Sequence, residues 1–181
     1  EVWRKRGLFS KHLWWHRALH YLELNDIEAV KASFDNEFWA EPSEDNIDIC
    51  NSSSMLMRLH ILGVNVKERW ETIADIAAQR TKERLRPFND LHFLMALAMS
   101  ERFDKATEIL SSMKEFSAGS NKNEITLSGV YEEAAIPVGQ ALLSYAKSDY
   151  ETVLEIMLEA RYSMRILGEA ERNEIYGSGC L

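Results

Sequence analysis

The sequence predicts an all-α protein in which antiparallel helix pairs stack side by side. Apolar residues recur at every third or fourth position rather than at every second one, which is typical of helices. Three prolines and eight glycines are few interruptions for 181 residues. With 46% apolar residues, the chain is long enough for one domain, residues 1–181, that removes roughly 70% of its unfolded surface from water. We therefore expect a single helical-repeat domain.

The apolar spacing places nine helices along the chain. They are predicted near residues 9–23, 26–39, 51–62, 66–84, 89–100, 104–115, 129–146, 150–163 and 169–176. The fifth is apolar on nearly every side and should therefore lie between neighbouring helices. Polar stretches at 41–46 and 117–123 predict the two longer loops. Pro137 should kink or restart the seventh helix, since proline lacks a backbone donor and clashes one turn back.

Three short turn segments superpose on one another. They are Leu24–Val30, Glu101–Ala106 and Lys147–Val153, and each joins two apolar helices through a polar turn. Val30, Ala106 and Val153 take the same small position, and Met113 and Ala160 follow seven residues after two of them. This pattern resembles the tetratricopeptide repeat, a helix pair that buries its apolar face by stacking into a right-handed superhelical solenoid. The matches are 76 and 47 residues apart rather than about 34, so the predicted array is degenerate.

Three longer segments extend the resemblance to a particular family. The segments are His12-Leu-Trp-Trp-His16-Arg-Ala-Leu-His-Tyr-Leu-Glu23, Ser53-Ser-Met-Leu-Met-Arg-Leu-His-Ile-Leu-Gly-Val-Asn-Val-Lys-Glu-Arg-Trp70 and Phe88-Asn-Asp-Leu-His92. In order and distance they are similar to the tetratricopeptide repeat protein 38 family. The likeness runs from about Lys11 to the Leu167-Gly168 region, although Asn25 stands where the family tends to have glycine. It implies a helical-repeat fold and protein binding, with no established reaction.

The resemblance also implies that this chain is the C-terminal part of a longer protein. Family members extend further on the N-terminal side, and the chain begins with Glu1 rather than methionine. The first helix should then expose apolar surface that a preceding helix pair would cover. We therefore expect a symmetric homodimer through the region around Trp3, Leu8, Phe9 and Trp14.

Composition argues against several classes of function. Lysine and arginine number 21 against 29 acidic residues, which gives a net charge of −8 and disfavours nucleic-acid binding. The longest apolar run, Phe93–Met99, is seven residues, whereas a membrane helix needs about 20. Cys50 and Cys180 are far apart and lack metal-ligand spacing, which favours a reducing compartment. We expect a cytoplasmic protein that does not enter membranes.

Three histidines recur every four residues along the first helix, at His12, His16 and His20. Imidazoles at this spacing can share a metal ion, but a zinc site needs a third or fourth ligand. We therefore expect no metal ion; no cofactor is expected either, and no residue is assigned a catalytic role. In repeat register, His12, Trp15 and His16 fall on positions that line a concave groove, and His92 takes the same place as His16 in the second match.

Two classes of function remain open. The first is an interaction scaffold that binds a peptide or partner protein in its concave groove, with His12, Trp15, His16, Asn89, Asp90 and His92 as candidate contacts. The second is an enzyme or small-molecule-binding domain that uses His16, Asp90 and His92. The groove histidines could instead hydrogen-bond inside the stack. With one helix pair between them, the imidazoles of His16 and His92 should lie on the order of 20 Å apart.

Overall fold

The computed structural model describes residues 10–83, 86–119 and 127–168, and the elements within these ranges are helices. The prediction of an all-α protein is confirmed for this part of the chain, which contains no strand. The chain divides into two compact units, Glu1–Ile76 and Ala77–Leu181, with the division inside one helix. Each unit is described by itself below.

The first unit begins with two helices that contact each other. Its elements are α1 (Ser10–Glu23), α2 (Ile27–Ser33), a π-helical turn (Phe34–Phe38), α3 (Asn46–Ile61), a 3₁₀ turn (Lys67–Arg69) and the first part of α4 (Trp70–Ala78). Both α1 and the π-helical turn contact α3. The core is formed by residues that have almost no exposed surface, among them Ala18, Val30, Phe34, Phe38, Ile49, Met55, Leu56, Leu59, Trp70 and Ile73.

Two side-chain pairs tie the π-helical turn to the segment that leads into α4. Trp39, directly after the turn, donates its indole N–H to Thr72 Oγ1 at 2.9 Å. Arg69 donates from Nε and Nη2 to the two carboxylate oxygens of Asp35, at 2.9 and 2.7 Å. This two-point contact raises the pKa of the Arg69 guanidinium above its ordinary value.

The second unit repeats the helix-pair layout. Its elements after α4 are α5 (Pro87–Met99), α6 (Phe103–Gly119), α7 (Leu127–Val130), a second π-helical turn (Tyr131–Ala135), α8 (Ile136–Ala146) and α9 (Tyr150–Ala160). Helix α5 contacts α6 and α8, α6 contacts α8, and α8 contacts α9. As predicted for an inner helix, α5 is buried on nearly every side.

Close helix packing in this unit depends on one glycine. A Cβ at Gly139 on α8 would lie 3.2 Å from Leu94 Cδ1 and 3.3 Å from Leu110 Cδ1. These two leucines belong to α5 and α6, so α8 approaches both helices at this point. Helices come closer together where no side chain separates their backbones.

The three superposed segments form the same turn. Asn25, Glu101 and Ser148 have left-handed φ angles of 56°, 63° and 62°. The amide of each following residue donates to the carbonyl five positions earlier: Asp26 to Tyr21, Arg102 to Leu97, and Asp149 to Ser144. This is the Schellman arrangement that ends a helix. Gly63, with a φ of 78°, ends α3 through an equivalent bond from Val64 to Leu59, so a fourth turn of this kind follows α3.

Acidic residues then start the next helix after two of these turns. Asp26 accepts from the amide of Ala29 at 3.1 Å, and Asp149 accepts from that of Thr152 at 3.3 Å. A carboxylate at this position satisfies one of the unpaired amides of the first helical turn. The polar turn therefore both ends one helix and begins the next.

Some helix boundaries differ from the predicted ones. Helix α3 begins at Asn46 rather than near residue 51, because the Asp45 carboxylate accepts from the amides of Ile47 and Asp48. Helix α4 ends at Ala78 rather than near residue 84, where Arg80 and Glu83 close short turns instead. The predicted loop at 41–46 is confirmed except for its last residue, since residues 39–45 are not helical and α3 begins at Asn46.

Pro137 lies in the first turn of α8, directly after the π-helical turn. The wider π-helical turn accommodates the carbonyl that would clash with the proline ring one turn back. The predicted interruption of the seventh helix is therefore confirmed. Within the described residues, no helix is both long and apolar enough to span a membrane.

Several predicted features lie outside the described residues. They are the helix at 169–176, most of the loop at 117–123, and Trp3, Leu8 and Phe9 of the proposed dimer region. Helix α6 continues through the first part of that loop, as far as Gly119.

Candidate functional site

Three of the predicted site residues form one cluster on α1. The Nε2 atoms of His12 and His16 are 3.0 Å apart, and their rings meet edge to face. The indole of Trp15 stacks on His12 with ring centres 5.5 Å apart and meets His16 at 5.0 Å. The spacing of three and four residues places these rings on one side of the helix. His12 and Trp15 are half-buried, whereas His16 is exposed.

Asn51 of α3 joins this cluster, although the sequence reasoning did not select it. Its side-chain nitrogen lies 3.1 Å from Nδ1 of His12. With that nitrogen donating, Nδ1 accepts, so the His12 proton lies on Nε2 and is shared with His16. The result is a directed chain of hydrogen bonds, from Asn51 to His12 to His16. One available signal was the run of Asn51 and three serines inside an apolar helix.

Both α1 and α3 carry buried polar side-chain atoms. Within the described part of the chain, Trp15 Nε1, Ser52 Oγ and Ser53 Oγ are buried without a hydrogen-bond partner. An unsatisfied buried donor costs about 1–3 kcal/mol, a cost that a bound polar group could remove. Trp15 brings its ring face to the same cluster, whereas its indole N–H is buried.

A charged contact fixes the first turn of α1 next to the cluster. Lys11 Nζ lies 3.3 Å from Asp48 Oδ2 on α3 and donates to the Glu41 carbonyl at 3.3 Å. Ser43 donates to the same Asp48 oxygen at 2.6 Å. Asp48 is buried, so these donors compensate for the loss of water around its carboxylate. The contact joins α1, the loop at 39–45 and the first turn of α3.

The other three predicted site residues lie together in the first two turns of α5. Asn89, Asp90 and His92 are each at most 8% exposed. His92 donates from Nδ1 to the carbonyl of Phe88 at 2.8 Å, and the two rings are in contact. A hydrogen bond from the ring to the backbone of the same helix is the one expected if His92 is a packing residue rather than a binding residue.

Tyr131 is the partner of Asp90 and was also missed by the sequence reasoning. Its hydroxyl donates to Asp90 Oδ2 at 2.6 Å, and its ring is fully buried. Tyr131 opens the second π-helical turn, so this buried bond connects α5 to the irregular part of the following helix. The sequence carried no signal for it, because the contact spans 41 positions and depends on the π-helical turn.

The candidate residues therefore form two groups, one in each compact unit. His12, Trp15 and His16 belong to the first unit, and Asn89, Asp90 and His92 belong to the second. The predicted common groove and the distance of about 20 Å between His16 and His92 remain predictions. Among the described residues, no group of three or more histidine, cysteine or acidic side chains is placed to hold a metal ion.

Comparison with known proteins does not identify this arrangement. No protein-family model matches the chain, and no solved structure matches it. The resemblance to the tetratricopeptide repeat protein 38 family is therefore based on the Trp-Trp-His and Asn-Asp-Leu-His segments themselves, and it remains a prediction.

Proposed function

We propose that the chain is a tetratricopeptide-like interaction scaffold, and that it binds a peptide or partner protein on the concave side of its helix pairs. The observation that carries the proposal is the repeated turn. Asn25, Glu101 and Ser148 share one backbone conformation and one hydrogen-bond pattern at the three places where the sequence repeats itself. Local geometry thus agrees with the repeat register on which the groove is predicted.

Burial at the repeat positions supports the same register. The small positions Val30 and Ala106 have no exposed surface, and the later compact positions Met113 and Ala160 are also buried. Val153, in the last pair, is half-buried. Compact buried residues let neighbouring helices approach, which is how pairs of this kind stack.

The α1 cluster is the part of the proposed groove best suited to contact a partner. His12 and Trp15 are accessible in part and His16 is exposed, whereas His92 is buried. The Trp15 indole is a large, mostly apolar ring that is half-buried in the free chain. Aromatic residues with these properties are common anchors in protein interfaces.

The test compares two substitutions on α1. Trp15→Ala removes the proposed anchor, and Leu13→Ala removes an apolar side chain that is 49% exposed and lies two positions earlier, on the other side of the helix. Partners captured by the wild-type chain would be identified by mass spectrometry, and the affinity of the purified partner would then be measured for each variant. Trp15→Ala should weaken binding by about 2 kcal/mol while Leu13→Ala leaves it unchanged.

Thermal unfolding of the same variants separates binding from packing. If Trp15 is a binding residue, Trp15→Ala keeps its helical circular dichroism and most of its melting temperature. A large loss of stability, with binding reduced only in proportion, would show that Trp15 is a packing residue and would contradict the groove proposal.

A further inference from the structure

The imidazole pair on α1 has the geometry of a chelating site. His12 and His16 are separated by one helical turn, and their Nε2 atoms lie 3.0 Å apart. Metal–imidazole bonds are about 2.0–2.1 Å long. For an ion at about 2.05 Å from both nitrogens, the N–metal–N angle would be roughly 94°. A tetrahedral ion would require the nitrogens to be about 3.3 Å apart at the same bond length. The observed spacing therefore fits an ion that holds two nitrogen ligands near a right angle, as square-planar, tetragonal and octahedral ions do, and the choice among these ions follows from their affinity for imidazole.

We propose that His12 and His16 form a bidentate site for a divalent transition-metal ion with right-angle coordination, Cu²⁺ in the first place and Ni²⁺ in the second. Both ions favour square-planar or tetragonal sites built from nitrogen and oxygen ligands. The remaining coordination positions are taken by water or by a ligand from solution, because the His16 side is exposed. This proposal does not depend on the scaffold function.

Asn51 holds the His12 ring in place for this role. Its side-chain nitrogen lies 3.1 Å from Nδ1 of His12. When the ion binds, the His12 proton moves from Nε2 to Nδ1, and the Asn51 amide turns so that its oxygen accepts that proton. His16 already directs an unprotonated Nε2 toward His12, so two neutral imidazoles bind the ion and no proton leaves the site. A hydrogen bond to the second ring nitrogen is the usual way in which proteins orient histidine ligands.

Trp15 provides a local reporter of occupancy. Its indole lies 5.5 Å from the His12 ring and 5.0 Å from the His16 ring, measured between ring centres. Paramagnetic Cu²⁺ between the two Nε2 atoms would quench the fluorescence of an indole at this distance. A Trp15→Phe variant should lose that part of the quenching.

The experiment is a titration of the full chain with CuSO₄ and, separately, NiCl₂ in a buffer that does not bind metals, at pH 7.5. Affinity is measured by calorimetry, with tryptophan fluorescence as the second readout. The wild-type chain should bind one equivalent of each ion, with Cu²⁺ tighter than Ni²⁺. His12→Gln and His16→Gln should each lower the Cu²⁺ affinity at least tenfold, and Asn51→Leu should lower it by about tenfold.

His20→Gln is the matched control, since His20 follows His16 by four residues on the same helix and is exposed. It should leave both affinity and quenching unchanged, and far-ultraviolet circular dichroism should show that all variants keep their helices. Unchanged Cu²⁺ affinity in His12→Gln would overturn the proposal. So would an equal loss in His20→Gln, because the chelating pair would then not be His12 with His16.

Discussion

At the scale of single residues, the substitution in α6 that should destabilise the protein most is one at Ala106, the small residue that is buried against neighbouring helices. Ala106 has no exposed surface, and neither has Leu97 on α5. Ala106→Asp would place a charge there without a partner, which should destabilise the protein by about 3 kcal/mol or more. Chemical denaturation would measure the change. Ser111→Asp, at an exposed position of α6, is the control; an equal effect of both substitutions would show that the repeat register is wrong.

Glu108, also on α6, illustrates a residue whose protonation depends most strongly on one neighbour. Lys105 Nζ donates to Glu108 Oε2 at 2.8 Å, and this bond lowers the pKa of the Glu108 carboxyl below its ordinary value, with a second hydrogen bond from Thr81. A lowered pKa in the folded state stabilises the fold above the unfolded carboxyl pKa, and this contribution is lost as pH falls through the folded pKa. Lys105→Met should therefore raise the pKa of Glu108 toward its ordinary value.

The pKa of Glu108 can be followed by a carbon-13 NMR titration of the glutamate carboxyls. Lys114→Met, an exposed lysine of the same helix, is the control and should leave that pKa where it is. If both substitutions raised it equally, general loss of positive charge rather than the Lys105 hydrogen bond would be the cause.

At the scale of elements, the turns decide where each helix pair begins. Non-glycine residues occupy the left-handed position in three of these turns, and a left-handed φ costs such residues roughly 1 kcal/mol. Ser148 is exposed, with a φ of 62°. Ser148→Gly should therefore stabilise the protein by about 0.5–1 kcal/mol, since glycine adopts this conformation without steric cost.

Gly63→Ala provides the opposite test in an equivalent turn. Nothing lies within 4 Å of a Cβ placed there, so the only penalty is the φ of 78°. The substitution should destabilise the protein by about 1 kcal/mol. Both changes can be read from the midpoint of urea unfolding, with Ser148→Ala as a control that keeps a side chain at the strained position. A Gly63→Ala variant as stable as the wild type would contradict the account of these turns.

An element could be predicted from the sequence when the residues that determine it lie close to it along the chain. The turns were recognisable because Asp26 and Asp149 are capping residues within a few positions of the helices that they begin. The two π-helical turns were not, apart from the interruption indicated by Pro137, because a wider helical turn has no sequence pattern of its own. The end of α4 was missed for a related reason: no glycine or proline follows Ala78 until Pro87.

The candidate site could likewise be predicted only where its residues are close together in the sequence. The α1 cluster follows from local spacing, because residues three and four positions apart share one side of a helix. Asn51 and Tyr131 reach their partners across 39 and 41 positions, so only the packing of α1 on α3, and of α5 against the second π-helical turn, brings them into contact. Asn89, Asp90 and His92 show the converse: their positions were predicted, whereas their burial depends on neighbours far along the chain.

At the scale of the whole molecule, each compact unit has a core and a polar cluster of its own. In the first unit the cluster is partly exposed and centred on His12, Trp15 and His16, and in the second it is buried around Asp90 and Tyr131. On α1, the first described helix, part of the apolar surface is exposed.

The side of α1 away from the histidines carries the apolar surface in question. Leu13 is 49% exposed, and a mostly apolar cleft is lined by Ser10, Leu13, Trp14 and Arg17. The Arg17 guanidinium lies 5.0 Å from the Trp14 ring centre.

We predict that two copies of the chain associate symmetrically through this surface at tens of micromolar protein. Leu13→Glu should weaken the association at least tenfold, because a two-fold interface would bring the two new carboxylates close to each other. Sedimentation velocity over a concentration series measures both, with Leu154→Glu, at a residue of α9 that is 61% exposed, as the control. Strictly monomeric behaviour of the wild-type chain, or equal effects of the two substitutions, would show that this surface does not mediate self-association.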